Sequence, residues 1–207
     1  MTLQAFALAV VLGYSQVPAF TRLLDDIGSL KQAYGYAFSA LSTVTFGGVI
    51  PYCILLFMGK LAPGQRRAQL LFYVAFWAWK GAEVDAFYRA QALLFGATGS
   101  APEIAAKAAF DQLLYTPLWA APTQTLFFAW KDSGFSYNRL LAMFRDERGF
   151  GPFWRRLVSV LFANWGVWIP AVSIIYSLPS ALQLPLFNLV LCFWSLLLSF
   201  VSRGENT

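Results

Sequence analysis

An uncharged run over residues 157–202 sets the first limit on how this chain can fold. A helix needs about 20 mostly apolar residues to cross the hydrocarbon core of a bilayer, so the run is long enough for two crossings. Pro179 and Pro185 lie near its middle, and residues 180–185 predict a tight hairpin between the two helices. The end of the chain therefore predicts a pair of membrane helices.

The composition of the whole chain is typical of a membrane protein. Of its 207 residues, 58% are hydrophobic and only 12% are charged, about half the charged fraction of soluble domains, and the mean hydropathy is +0.57. We therefore interpret residues 1–207 as a single integral membrane domain that has the lipid bilayer as its main partner. The net charge of +5 forms no basic stripe, so nucleic acid is not an expected partner.

Four more apolar segments precede the long run. They are residues 3–20, 35–58, 68–95 and 105–130. The fold class that they predict is all-α, a polytopic transmembrane helix bundle with about six hydrophobic helices, of which four to six span the membrane.

The first segment ends in a polar stretch marked by Pro18, Arg22, Asp25 and Asp26. It is marginally long, so it either spans or lies on the surface, and a cleavable signal peptide is the less favoured alternative because no Lys or Arg precedes it.

The one long polar connection, residues 131–156, contains a short amphipathic pattern. Ser136 is expected to cap a helix on which Tyr137, Leu140, Leu141 and Phe144 share one side. Such a pattern favours a short interfacial helix, with an irregular loop as the alternative.

Basic residues are distributed unevenly between the two sides of the predicted bundle. With alternating crossings, the termini and the connections 59–69 and 131–156 lie on one side and contain ten Lys or Arg, whereas the other side has three, Arg22, Lys31 and Lys107. The bias predicts both termini on the positively charged side.

Four charged side chains interrupt the third apolar segment: Lys80, Glu83, Asp85 and Arg89. On a helix, the first two lie about 60° apart, and the last two lie about 40° apart on nearly the opposite side. Each charge thus has an opposite partner at i,i+3 or i,i+4 spacing. The favoured interpretation is two structural ion pairs that lock this helix between its neighbours, because charges at membrane depth require partners.

The alternative is that one of these pairs lines a hydrated path, since rings of acidic and basic groups select ions in pores. Asp111 and Gln112, from the fourth segment, would join it, and all six residues are candidates for a pore or a buried polar network. Pro117 and Pro122 predict a kink in the same segment.

No feature of the sequence indicates catalysis. The chain has no histidine, and Cys53 and Cys192 are isolated in apolar runs, so we predict no metal site, no cofactor and no catalytic residues. Acid–base chemistry would have to come from Asp85 or Asp111. We expect that the protein is not an enzyme.

An ordered series of motifs runs through the second half of the chain. It consists of Gly81, Tyr88, Asp111-Gln112, Pro117, Asn164-Trp165-x-x-Trp168, Pro170, Pro179, Asn188 and Trp194. The series resembles the Mpv/peroxisomal-membrane-protein family over about residues 76–200. Residues 1–30 have no clear counterpart and are read as an extra N-terminal helix. Asp85 stands where the family has His, Phe87 where it has Trp and Ala82 where it has Pro, so the resemblance is to a divergent member.

The resemblance implies a small helical protein of a mitochondrial inner, peroxisomal or plastid membrane. Its expected function is that of a channel-like or transport protein for small solutes or ions, with a role in membrane permeability and metabolite homeostasis. The alternative is a non-catalytic structural or accessory subunit of a larger membrane complex, and a homo-oligomer is a further expectation. Because Asp85 occupies the position of the family's His, we expect the Asp85–Arg89 pair to line the path.

Overall fold

The computed structural model describes residues 9, 12–14, 16–61, 63–144 and 151–201, without the side chains of residues 63 and 197–201. All elements in these ranges are helical and none is a strand, which confirms the all-α prediction. In chain order they are α1 (Pro18–Thr43), a first π-helical segment (Val44–Val49), α2 (Ile50–Phe57), a 3-10 turn (Pro63–Gln65), α3 (Arg66–Phe95), α4 (Ala101–Phe110), a second π-helical segment (Asp111–Ala120), α5 (Ala121–Asp132), α6 (Tyr137–Ala142), α7 (Pro152–Ile175) and α8 (Ser180–Val201).

Two helical stretches in the described ranges are long and apolar enough to cross a membrane. They are Pro18–Phe57, in which helix continues from α1 through α2, and Pro152–Ile175, and both have a mean hydropathy of 1.8. This favours membrane association, but it is fewer than the four to six spanning helices that were predicted. The helix α3 is ~45 Å long at 1.5 Å per residue, so its length is sufficient and its charged residues are what lower its hydropathy.

The start of the described chain differs from the prediction. Residues near Pro18 were expected to leave the first apolar segment, but Pro18 instead begins α1, where its missing N–H group is not needed. The helix bends at Gly35, whose φ of 51° and ψ of −124° suit a residue without a Cβ atom. The predicted boundary at residue 35 is therefore a kink within a helix, and half of residues 3–20 lie outside the described ranges.

Small residues let α3 pack closely against α1 and the first π-helical segment. A Cβ atom on Gly81 would collide with the backbone oxygen of Ser39 and lie 2.7 Å from Thr43 Oγ1. A Cβ atom on Gly47 would lie 2.9 Å from the Trp77 ring. Close approach of this kind is how small residues stabilise helix pairs in membranes. Since α3 also contacts α4 and α8, it lies inside the bundle, as expected.

The last two helices form a hairpin, but its turn comes earlier than predicted. The helix α7 ends at Ile175 and α8 begins at Ser180, so the turn covers residues 176–179 rather than 180–185. Pro179 precedes α8 and its carbonyl accepts a hydrogen bond from the Leu182 amide at 2.8 Å. Pro185 lies inside α8, where it removes one helical N–H donor without ending the helix.

The short amphipathic helix is present as α6. The Ser136 side chain accepts a hydrogen bond from the Arg139 amide, which confirms the predicted cap. Of its apolar side chains, Leu140 is buried, whereas Tyr137 is 66% exposed. Exposed apolar groups of this kind fit the interfacial position, which stays a prediction.

Candidate functional site

A partly open cavity of ≈ 70 Å³, with both apolar and polar side chains in its lining, lies between α3, the second π-helical segment, α5, α7 and α8. Its polar lining consists of Lys80, Asp111, Gln112, Tyr115, Thr116, Gln124 and Asn164. The lining follows α3 from Trp77 to Tyr88, ~16 Å along the helix axis, which is about half of a hydrocarbon core. Since one water needs roughly 10–15 Å³ of such space, the cavity has room for several.

Lys80 and Glu83 form the predicted ion pair beside this cavity. The Lys80 ammonium donates to both carboxylate oxygens of Glu83, at 2.9 and 3.1 Å, and to Thr123 Oγ1 at 3.1 Å. The Tyr115 hydroxyl also donates to Glu83. Both charged side chains are largely buried, with exposed fractions of 7% and 14%. The pair thus joins α3 to α5 and to the second π-helical segment.

Asp111 is held by neutral donors. The Tyr176 hydroxyl donates to Asp111 Oδ2 at 2.6 Å and the Thr116 hydroxyl to Oδ1 at 3.3 Å. Within the described part of the chain, no Lys or Arg forms an ion pair with this buried carboxyl group. Lys107, one turn earlier, instead pairs with Glu103 at 2.8 Å. Asp111 is therefore a buried acidic group without a cationic partner.

Asp111 begins a stretch of π-helix that contains Pro117. Pro122 lies at the start of α5, and the kink predicted from Pro117 and Pro122 stays a prediction. Proline has no N–H group, so it disturbs the regular helical hydrogen bonds, and π-helical turns are frequent at functional sites. The Trp165 indole N–H donates to the Gln112 carbonyl oxygen at 2.8 Å, which satisfies one backbone group of this irregular segment.

Gln112 also connects the segment to α7 through its side chain. Asn164 Nδ2 donates to Gln112 Oε1 at 3.3 Å. The two family-motif tryptophans Trp168 and Trp194 line the cavity and pack edge to face with ring centroids 6.4 Å apart. The DQ and NW motifs of the sequence thus meet in space at one site, although they lie more than 50 residues apart.

Asp85 and Arg89 lie away from the cavity. Arg89 Nε donates to Asp85 Oδ1 at 3.1 Å, which confirms the ion pair, but neither residue is part of the cavity lining. Asp85 also accepts hydrogen bonds from Lys31 and Ser39, each at 2.7 Å, and is 1% exposed. Of the six candidate residues, Lys80, Asp111 and Gln112 line this cavity, and the path-lining role expected of Asp85 and Arg89 stays a prediction.

The kink at Gly35 explains why two residues of α1 converge on Asp85. Lys31 and Ser39 lie four residues to either side of Gly35, and both donate to the same carboxylate. Lys31 and Lys107 were both expected as charges on one side of the membrane. Both are buried in ion pairs with exposed fractions of 8% and 2%, so neither acts as a surface charge.

The remaining family-motif residues have packing roles. Tyr88 is buried and packs edge to face on Tyr176, with ring centroids 5.5 Å apart. Asn188 accepts a hydrogen bond from Thr43 and donates one to Ser42, each at 2.8 Å, and so ties α8 to α1. Pro170 lies within α7.

Several cavity residues were not singled out from the sequence. Tyr115 and Thr116 follow Asp111 at i+4 and i+5, so helical spacing could have placed them near it. Tyr176 comes from the turn after α7, and no local pattern indicates its contact with Asp111.

Comparisons of this chain with protein-family models, with curated proteins and with solved structures find no match. The resemblance to the Mpv/peroxisomal-membrane-protein family accordingly stays a prediction.

Proposed function

We propose that this chain is a channel-like or transport protein that passes small solutes or ions across an organelle membrane. The observation that carries the proposal is the cavity along α3, with Lys80 and Asp111 in its lining. Ionisable groups at membrane depth are expensive and mark ion or solute pathways when they face a cavity. The motif resemblance supports the same function, a divergent family membership and a mitochondrial inner or peroxisomal membrane.

A bundle of more than two spanning helices follows from the same contacts. The charges in the middle of α3 are paired, Lys80 with Glu83 and Asp85 with Lys31 and Arg89, and of these five side chains only that of Arg89 is substantially exposed, at 49%. Paired charges inside a bundle do not face lipid, so hydropathy underestimates how well such a helix fits a membrane. We propose that α3 and residues 105–130 cross the membrane together with the two more apolar stretches.

The burial of Lys31 and Lys107 also bears on orientation. Lys131, on the other side, is likewise buried and paired with Asp132, so removing all three leaves Arg22 on one side of the predicted bundle against nine basic residues on the other. The larger bias supports the placement of both termini on the positively charged side.

The charge balance of the site favours cations. Lys80 and Glu83 neutralise each other, and Asp111 adds a negative charge when it is ionised. Acidic groups at a constriction favour cation passage. The volume of ≈ 70 Å³ fits water and small ions, whereas a larger solute requires a more open conformation.

Conductance of the purified protein in a planar bilayer tests this proposal. We expect ion currents with a preference for cations in the unmodified protein and a lower preference in Asp111→Asn. Asp26→Asn makes the same chemical change at an exposed position and serves as the matched control. If well-folded protein carries no current at all, the proposal is wrong.

A native gel separates this proposal from the alternative of an accessory subunit. If the chain transports solutes without other subunits, it is expected to migrate as a monomer or a small homo-oligomer. Migration with a large assembly, together with the absence of current, would favour the accessory role.

A further inference from the structure

We propose that Asp111 takes up and releases a proton within the cavity, so that the transported species is a proton or a solute that moves with one. The geometry around Asp111 supports the protonation of this residue. The role of that protonation in transport rests on the proposed function.

The first argument is the absence of a compensating positive charge. Asp111 is 6% exposed and forms no ion pair with a described residue, whereas Asp85, at 1% exposure, has both Lys31 and Arg89. An ionised carboxylate that is buried without a cation is costly, and proton uptake removes that cost. Proton binding is therefore favoured at Asp111, whereas the two cations beside Asp85 favour its ionised form.

The second argument is that the surroundings suit both protonation states. Tyr176 and Thr116 each donate a hydrogen bond to a different oxygen of Asp111, and such donors stabilise the ionised form. A hydroxyl group can also rotate and accept, so it can receive the proton of a neutral carboxyl group. The site therefore holds either state with its hydrogen bonds satisfied, which is what reversible exchange requires.

The other titratable groups around Asp111 do not balance its charge. On α3, Lys80 is occupied by Glu83, and Tyr88 is neutral. On its own segment Tyr115 donates to Glu83, and on α4 Lys107 is occupied by Glu103. Tyr176, from the turn after α7, is the remaining titratable neighbour. The ionised site thus has a net charge of −1, which a single proton neutralises.

Water in the cavity completes the exchange. Two buried donors of lining residues, Trp77 Nε1 and Gln124 Nε2, have no hydrogen-bond partner among the described residues, so water is their natural acceptor. A hydronium ion transfers a proton to a carboxylate oxygen of Asp111 and leaves as water. On release, the carboxyl O–H bond breaks and the proton passes to a water molecule, which becomes hydronium. No electron is transferred.

Infrared titration of the protein in lipid vesicles tests the protonation directly. On acidification we expect the carbonyl band of a neutral carboxyl group to grow and to shift in heavy water. This component is expected to be lost in Asp111→Asn and kept in Asp26→Asn, the exposed control. In Tyr176→Phe it is expected to appear at a higher pH, because the variant loses a hydrogen bond that stabilises the ionised form. Circular dichroism and gel filtration establish that each variant folds.

Proton flux into the same vesicles, followed with an enclosed pH-sensitive dye, tests the transport role. Superimposable infrared titrations of the unmodified protein, Asp111→Asn and Tyr176→Phe would overturn the protonation, even if ion current persists. If the infrared band of Asp111 is seen but no proton flux is measured, the protonation of Asp111 is supported and its role in transport is overturned. If Asp111→Asn does not fold, the shift in Tyr176→Phe decides the matter alone.

Discussion

Asp85 and Asp111 are both buried carboxyl groups, yet their partners differ in kind. Asp85 binds two cations and a hydroxyl group, whereas Asp111 binds hydroxyl groups. The local pairs Lys80–Glu83 and Asp85–Arg89 were predictable because helical spacing decides them. The contacts of Lys31 with Asp85 and of Tyr176 with Asp111 depend on how distant helices cross, which the sequence pattern does not encode.

At this scale we predict that Asp85→Asn destabilises the fold. The change leaves Lys31 buried with no carboxylate, and breaking a buried ion pair costs about 3–5 kcal/mol. The control Asp26→Asn is exposed and is expected to change the free energy of unfolding by less than about 0.5 kcal/mol. Unfolding curves in detergent measure both, and equal curves for the two variants would contradict the structural role of Asp85.

A pH dependence is expected from Asp132, at the end of α5 and outside the apolar segment 105–130. Burial acts to raise the pKa of Asp132, but the charges of Lys131 and Arg156 outweigh it and hold the pKa below its usual value. A carboxyl group with a lowered folded-state pKa stabilises the fold above its unfolded pKa of about 3.9, and this contribution is lost as the pH falls through the folded value.

Thermal unfolding of the unmodified protein and of Asp132→Asn at several pH values measures this contribution. The difference between them is expected to be constant above pH ~5 and to shrink as the pH falls below the unfolded pKa of about 3.9. A difference that grows on acidification would show the opposite sign and contradict the assignment.

Among the elements, the irregular ones were the hardest to predict. The extents of α3 and α6 followed from apolar patterns and a capping serine. The Gly35 kink is confined to one residue and the π-helical stretch covers Asp111–Ala120, and no apolar pattern in the sequence marks either of them. The hairpin turn came early because Pro185 is tolerated within α8, so a proline alone does not locate a helix end.

The crossing of α3 with α1 can be tested at its closest point. We predict that Gly81→Ala destabilises the fold by about 1–3 kcal/mol, because the added methyl group meets the backbone of Ser39 and the helices must separate. Gly166→Ala, in α7, meets no atom within 4 Å and is the matched control. Alanine favours a helix by about 0.5–1 kcal/mol over glycine, so the control should be neutral or stabilising. Equal effects in unfolding curves would argue against this close crossing.

On the scale of the whole molecule, hydropathy predicted the all-α class but gave no arrangement of the helices. It also underestimated the burial of one face of α3, because hydropathy counts each charge without its ion-pair partner, which is Glu83 for Lys80 and both Arg89 and Lys31 for Asp85. The cavity arises where α3, α5, α7 and α8 meet, so it is a property of the assembled bundle. The motifs that carry the family resemblance include two of its polar sites, Asp111-Gln112 and Asn164, whereas Asp85 is not part of this lining.

The most direct test of the central claim, that this cavity is a hydrated path, is the reaction of silver ions with single cysteines in the membrane-embedded protein. Cys53 and Cys192 are first replaced by alanine, and a cysteine is introduced at Gln124 or Thr116 in the cavity lining, or at Ser39 beside Asp85. Silver ions are small and cationic, so we expect them to block later alkylation of the two cavity cysteines and to spare the cysteine at position 39, since Ser39 is fully buried. Protection at position 39 alone, or equal reaction at all three positions, would contradict a hydrated path on the Asp111 side of α3.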